Sequence, residues 1–196
     1  PVMEVKNLTL PGAFEDVSFT LRRGEIVGVT GLLDSGRTEL ALSLFGLQRV
    51  EKGEVLMDGR PVALGSPADA IRAKIGYVPE DRLSEGLFLP RSIADNIIVG
   101  EIDSLAGAAG IIDRKKRAAE IEKWVSELSI ATPNPDNACQ TLSGGNQQRV
   151  VLAKWLACDL DVLILNGPTV GVDIGSKHDI HKILKGLAEK GMAILI

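Results

Sequence analysis

Glu25-Ile26-Val27-Gly28-Val29-Thr30-Gly31-Leu32-Leu33-Asp34-Ser35-Gly36-Arg37-Thr38 is the stretch that decides the fold. Its first six residues are a short apolar run bounded by glycines, which predicts a strand covered on both faces. From Arg37 to Phe45 the pattern changes to helical spacing, with Leu40, Ala41 and Leu44 on one stripe. Between the two lies Gly31-Leu32-Leu33-Asp34-Ser35-Gly36-Arg37-Thr38, whose glycines let the backbone turn back on itself. Strand, glycine-rich loop and helix in that order form the context a phosphate-binding loop requires, because successive N–H groups and the positive helix end converge on an anion. The hydroxyl of Thr38 is placed to hold Mg²⁺. Arg37 stands where the pattern carries Lys; it keeps the charge but replaces a compact ammonium with a planar fork. Asp34 adds a carboxylate, unfavourable beside a polyphosphate. Taken alone, the stretch also fits a strand-turn-helix connection without a ligand.

Working outward, Val2 to Leu10 and Phe14 to Leu21 alternate apolar and polar residues about a turn at Pro11-Gly12, which predicts a half-buried antiparallel pair. Gly53 to Met57 reads as a strand closing at Asp58-Gly59, Pro67 to Ala73 as a short helix and Lys74 to Val78 as a buried strand. From about Pro90 to Gln140 the character changes. Ser92 to Val99 and Arg114 to Leu128 have helical spacing, the latter with Ile121, Trp124, Val125 and Leu128 on one face, and Ala106-Gly107-Ala108-Ala109-Gly110 links them. Asn146 to Ala157 reads as a helix, Val162 to Leu165 as a strand, Ser176 to Lys190 as a helix and Met192 to Ile196 as a last strand. The alternation predicts an α/β fold with a mostly parallel sheet flanked by helices, an N-terminal antiparallel β subdomain and a helical insert. We expect one domain over residues 1–196, with a core from about 1–89 and 141–196 and a helical subdomain over about 90–140. Because the last strand runs to Ile196 without a polar tail, the chain is expected to be a fragment of a longer polypeptide, truncated at its C-terminal end.

With 45 % hydrophobic and 24 % charged residues, the 196-residue chain has the composition of an ordinary globular domain. Its longest apolar runs are far short of the roughly 20 residues of a membrane helix, and no basic-then-apolar leader opens it, so a soluble protein is expected. The net charge is −4 and the cations are scattered except for Arg114-Lys115-Lys116-Arg117, so no broad basic face points to nucleic acid. That run reads as the exposed start of a helix. Cys139 and Cys158 lack C-x-x-C spacing, which argues against a disulfide scaffold or a zinc site and for reduced thiols. His178 and His181, with Asp179 between them, are read as a solvated helix face, since no third ligand has suitable spacing.

Leu142-Ser143-Gly144-Gly145-Asn146-Gln147-Gln148-Arg149 places a hydroxyl and two glycines immediately before a helix, a second anion-seeking N-terminus in the chain. A capped helix with Ser143 as N-cap explains the serine and a glycine but not the whole octet. Tyr77-Val78-Pro79-Glu80-Asp81-Arg82 follows the third candidate sheet strand, and Gly171-Val172-Asp173 follows Val162 to Leu165. Together with the order of elements, these motifs closely resemble the ABC ATPases over nearly the whole chain. Arg37, Glu80-Asp81-Arg82 and Asn146 narrow the resemblance to the second, C-terminal ATPase half of the tandem ATP-binding subunits of monosaccharide importers, of the ribose, galactose, xylose and arabinose type.

The resemblance implies a domain that binds ATP and Mg²⁺ and dimerises head to tail, the signature of one domain closing over nucleotide on the glycine-rich loop of the other. It implies nucleotide contacts from Gly31, Leu32, Leu33, Asp34, Ser35, Gly36, Arg37 and Thr38, metal contacts from Thr38 and Glu80, and contacts in trans from Ser143, Gly144, Gly145 and Asn146. Asp173 matches the loop that crosses the dimer interface. Pro11-Gly12-Ala13-Phe14 is too short for the family's adenine-stacking aromatic, and Phe14 is expected in the core. In the family the strand Val162 to Leu165 would be followed by a metal-ordering aspartate and a glutamate base, but Asn166 and Gly167 occupy those positions. Asparagine brings no charge to a hard cation and glycine no base. The expectation is a weak or inactive half with no confident catalytic residue of its own. Its partners would be an N-terminal ATPase half in the same polypeptide, or a dimer mate, and transmembrane permease subunits. They would hold it in the cytoplasm at the inner face of the cell membrane. A nucleotide-sensing or non-transport ABC domain with little hydrolysis of its own is the alternative.

Overall fold

The computed structural model describes residues 1–32, 34–106 and 110–196. In chain order its elements are β1 (Met3–Leu10), β2 (Phe14–Leu21), β3 (Ile26–Val27), α1 (Arg37–Leu44), β4 (Lys52–Met57), β5 (Arg60–Val62), α2 (Pro67–Arg72), β6 (Ile75–Val78) and α3 (Ile93–Ile98). They continue with α4 (Ile102–Leu105), α5 (Arg114–Glu127), α6 (Gly144–Leu156), β7 (Val162–Leu165), α7 (Ile174–Glu189) and β8 (Ala193–Leu195). A single π-helical turn covers Arg82–Gly86. Two compact units result, one of residues 1–77, 160–167 and 184–196, the other of residues 78–159 and 168–183.

The first unit holds both sheets. An antiparallel sheet runs in the order β2-β1-β4-β5, and a sheet in the order β3-β8-β7-β6 has parallel pairing of β3 with β8 and of β8 with β7. Strands β6 and β7 are buried at every residue, the pattern of strands covered on both faces. Met3, Leu8 and Leu21 from the antiparallel sheet are fully buried, as are Leu44 of α1 and Ile75, Leu163, Ile164 and Leu165 of the other sheet. Phe14 is buried at 9 % exposure, as expected of a core residue. Asp58 and Gly59, both with positive φ, make the tight turn that returns β4 as β5.

One strand departs from expectation. The run Glu25 to Thr30 is regular strand only at Ile26 and Val27, and Ile26 is 43 % exposed. Among the described residues β3 has a single neighbour, β8, so it is an edge strand with one open side. Its pairing continues past the regular residues through the Val29 N–H donated to the Ile196 carbonyl.

The second unit is helical. Ser92 caps α3 by accepting from the Asp95 N–H, and Asp113 caps α5 by accepting from Lys115 and Lys116. Buried Asn96 accepts from the Phe88 N–H and donates to the carbonyls of Phe88 and Ser92, fixing the loop ahead of α3. Ile121, Trp124 and Leu128 are buried on one side of α5, and the cations Arg114 to Lys116 at its start are exposed. Cys139 and Cys158 are free and buried. Of the linker 106–110, residues 107–109 lie outside the described residues. Among the described residues no helix is long and apolar enough to cross a membrane.

Candidate functional site

In the first unit the glycine-rich loop folds as its composition requires. The Ser35 N–H is donated to the Leu32 carbonyl, and a Cβ on Gly31 would overlap the Ser35 side chain. Asp34 and Gly36 both have left-handed backbone, with φ of 60° and 82°. A Cβ on Gly36 would also overlap the carbonyl of Ala13 in the β1–β2 turn, so only glycine fits there. Gly36 is the N-cap of α1 and gives it no side-chain hydrogen bond. The first N–H groups of a helix have no intrahelical partner, so the uncapped end of α1 offers donors and a positive dipole end to an anion. Arg37 is exposed at the first helical position. Leu33 lies outside the described residues.

Thr38, one residue further along α1, accepts a hydrogen bond from the side-chain amide of Asn166 at 3.4 Å. The first unit thus brings the loop's hydroxyl to the residue that follows β7, as a metal-ordering pair would require. Gly167 has φ of 57°, in the left-handed region. A side chain with a Cβ there would cost roughly 1–2 kcal/mol. A cleft of about 580 Å³ beside the loop is bordered by Pro11, Ala13, Asp34, Gly36, Glu39 and Arg49, without an aromatic ring. Its two carboxylates outnumber its one guanidinium, which opposes the attraction of the helix end for an anion.

In the second unit Ser143 is the exposed N-cap of α6, which begins at Gly144, two residues ahead of the expected start. Its hydroxyl oxygen accepts from the Asn146 side chain at 3.0 Å, while the Asn146 carbonyl oxygen accepts from the Ala131 N–H at 2.8 Å. Asn146 therefore spends its amide inside the unit, orienting the serine. The glycines are required by close approaches. A Cβ on Gly144 would lie 2.8 Å from a terminal nitrogen of Arg82 and 3.2 Å from the Gly171 carbonyl, and one on Gly145 would overlap Ser176. Arg149, last of the octet, donates to the carbonyls of Leu128 and Ser129 at the end of α5 and pairs with Asp179 at 2.6 Å. Its part is architectural.

Asp173 accepts from the Ser176 N–H at 2.9 Å and from the Ser176 hydroxyl at 2.6 Å. These bonds, the hydroxyl's above all, hold its carboxyl below the usual carboxylate range. Glu80 is exposed just ahead of the π-helical turn. His178 and His181 are exposed on α7, and the described residues contain no cluster of three metal-binding side chains. The sequence patterns quoted Arg82 only as part of the Glu80-Asp81-Arg82 match, without giving it a contact, and passed over Ser176. Nothing local reveals these contacts, since the carbonyls that Arg82 bonds belong to Val170 and Gly171, 88 and 89 positions away.

The sequence profile described as ABC transporter matches residues 14–170. The ribose import ATP-binding protein RbsA of Bacillus subtilis (strain 168) is 44 % identical over 195 residues, covering 100 % of this chain and 39 % of that protein. The ribose import ATP-binding protein RbsA 2 of Streptomyces avermitilis is 44 % identical over 194 residues, covering 99 % of this chain and 38 % of that one. The chain thus spans well under half the length of these relatives. Among solved structures, cbiO1 from Clostridium perfringens, part of the ABC transporter complex cbiONQ, superposes with a TM-score of 0.81 at 20 % identity, covering 100 % of this chain and 76 % of that one. The ATP-binding cassette MJ0796, a dimer bound to ADP and Pi, gives a TM-score of 0.80 at 22 % identity, covering 98 % of this chain and 86 % of that one. At such identities the two structural likenesses bear on the fold alone.

Proposed function

The chain belongs to the ABC transporter family, and from that premise we propose that it is the C-terminal ATPase half of a tandem importer subunit for a simple sugar, working mainly by completing its partner half's site. Its share of the length of the ribose import relatives supports the tandem arrangement. The observation that carries the division of labour is the amide of Asn166 on the hydroxyl of Thr38, next to a left-handed Gly167. Neither of the two residues directly after β7, Asn166 and Gly167, is a carboxylate that could order a cation or activate water. Removing a general base typically lowers a rate about 10²- to 10⁴-fold.

The loop 31–38 fits a nucleotide's phosphates, through the uncapped end of α1 and the charge of Arg37. For Mg²⁺ the fit is narrower. The Thr38 hydroxyl is a hard oxygen donor but Asn166 is neutral, so phosphate oxygens and water would supply most ligands. Bound there, Mg²⁺ would neutralise phosphate charge. This site binds nucleotide and turns it over slowly or not at all. Ser143, Gly144 and Gly145 serve the partner half instead. The hydroxyl of Ser143 accepts from Asn146, which leaves its proton for an anion, and phosphoryl transfer is mostly positioning and charge stabilisation. Glu80 and the turn that follows face the permease subunits, which hold the domain at the inner face of the membrane and couple closure to transport.

The test uses the full-length polypeptide. Ser143→Ala abolishes ATP hydrolysis, whereas Thr38→Val leaves most of it while weakening one of two nucleotide sites. Full hydrolysis in Ser143→Ala, or its loss in Thr38→Val, overturns the reading.

A further inference from the structure

We propose that Arg82 is a positioning residue for the composite nucleotide site, locking the loop that ends in Asp173 to the glycines of the signature as one body; this rests on the function proposed above. Arg82 is buried, at 9 % exposure of the residue. One terminal nitrogen donates to the Val170 carbonyl at 2.9 Å and the other to the Gly171 carbonyl at 3.0 Å. The same fork lies where a Cβ on Gly144 would come within 2.8 Å, and one on Gly171 within 3.3 Å. Gly171 has φ of 68°, a backbone that favours glycine, and a Cβ there would also crowd the guanidinium. A second fastening lies beside the first, where Gly145 abuts Ser176 and Ser176 is bonded to Asp173.

Energetics argue that this is more than filler. A buried guanidinium is costly unless paired and fully hydrogen-bonded. Here it meets two neutral carbonyls, and its Nε is buried without a partner. The carboxylate of neighbouring Asp81 is committed to Leu83 and Ser84. The charge instead lies against the first turn of α6, where it adds to the positive end of the helix dipole. An anion closing on Ser143 would meet both. Arginine rather than lysine is required, because only a planar fork spans two successive carbonyls.

Arg82→Lys and Arg82→Gln in the full-length polypeptide separate positioning from mere packing. Lysine keeps the charge and most of the stem but loses the fork; glutamine loses the charge. We expect kcat for ATP to fall at least tenfold in both, with KM within about threefold because the partner half's loop still binds the nucleotide. The fall should be larger for glutamine, and amide hydrogen exchange over residues 170–173 should quicken in both. Wild-type kcat in Arg82→Lys, unchanged exchange in that loop, or losses that vanish at a temperature well below the variant's melting point would overturn the inference. Ser143→Ala, measured in parallel, keeps the two claims apart. If it abolishes hydrolysis while Arg82→Lys does not, only the role of Arg82 fails; if it has no effect, the composite site itself fails.

Discussion

Asn166 and Thr38, 128 positions apart in sequence, meet at 3.4 Å with the amide as donor and the hydroxyl as acceptor. A carboxylate at 166 would reverse that polarity, accepting from the threonine and offering charge to a cation. Asn166→Asp is therefore expected to tighten nucleotide binding about tenfold in Mg²⁺, equivalent to about 1.4 kcal/mol, and to weaken it in EDTA, where the new charge faces bare phosphate. Titration of a fluorescent nucleotide with and without Mg²⁺ checks this. Equal affinities in both buffers would remove the metal from the argument.

Gly145→Ala would drive a methyl into Ser176, whose short side chain is tied to Asp173 and cannot swing away. Overpacking of this kind costs typically 1–3 kcal/mol. The variant is expected to melt several degrees lower, and Ser176→Gly in the same chain should recover most of the loss by vacating the space. A melting temperature unmoved by Gly145→Ala would mean that the approach is looser than the geometry indicates.

Much of this architecture is legible in the sequence. The period of two in β1 and β2 and the continuous apolar runs of β6 and β7 come from local burial, and local burial is what periodicity reports. β5 escapes notice because Arg60-Pro61-Val62 is short, exposed and defined by its pairing with β4. β3 is overestimated because a run of apolar residues does not reveal that one side of the strand has no neighbour. The signature glycines read as an anion site, but the reason each must be glycine lies in Arg82 and Ser176, brought up by tertiary packing from distant segments.

Acid should loosen the second unit by a definite route. Asp173 and Asp81 are held below their ordinary value of 3.8 by hydrogen bonds, foremost from the hydroxyls of Ser176 and Ser84. A depressed carboxyl contributes stability that is present above its unfolded value and is lost as pH falls through its folded value. The melting temperature should therefore decline from about pH 4 downward, and Asp173→Asn should flatten that decline while lowering the plateau at neutral pH. Thermal melts between pH 2 and pH 7 decide it, and parallel profiles for variant and parent would contradict the assignment.

Both thiols should be inert in the native protein. Burial raises Cys139 and Cys158 from 9.0 to about 11, which reduces the thiolate fraction at pH 8 about a hundredfold even before access is considered. A chromogenic disulfide reagent is expected to label neither within minutes under native conditions and both at once in denaturant. Rapid native labelling of one thiol would reveal local opening of the element that carries it.

The left-handed backbone at Gly167 makes the present arrangement hard to undo. Changing that codon to one for glutamate would deliver a carboxylate on a peptide unit shaped for a residue without a side chain, aimed wherever that strained unit points. The strain of roughly 1–2 kcal/mol would be relieved only by rebuilding the turn after β7, and a rebuilt turn without the acid confers nothing. If the proposed division of labour holds, two changes that are each unrewarded alone separate this half from independent turnover, and the proposed asymmetry works as a ratchet.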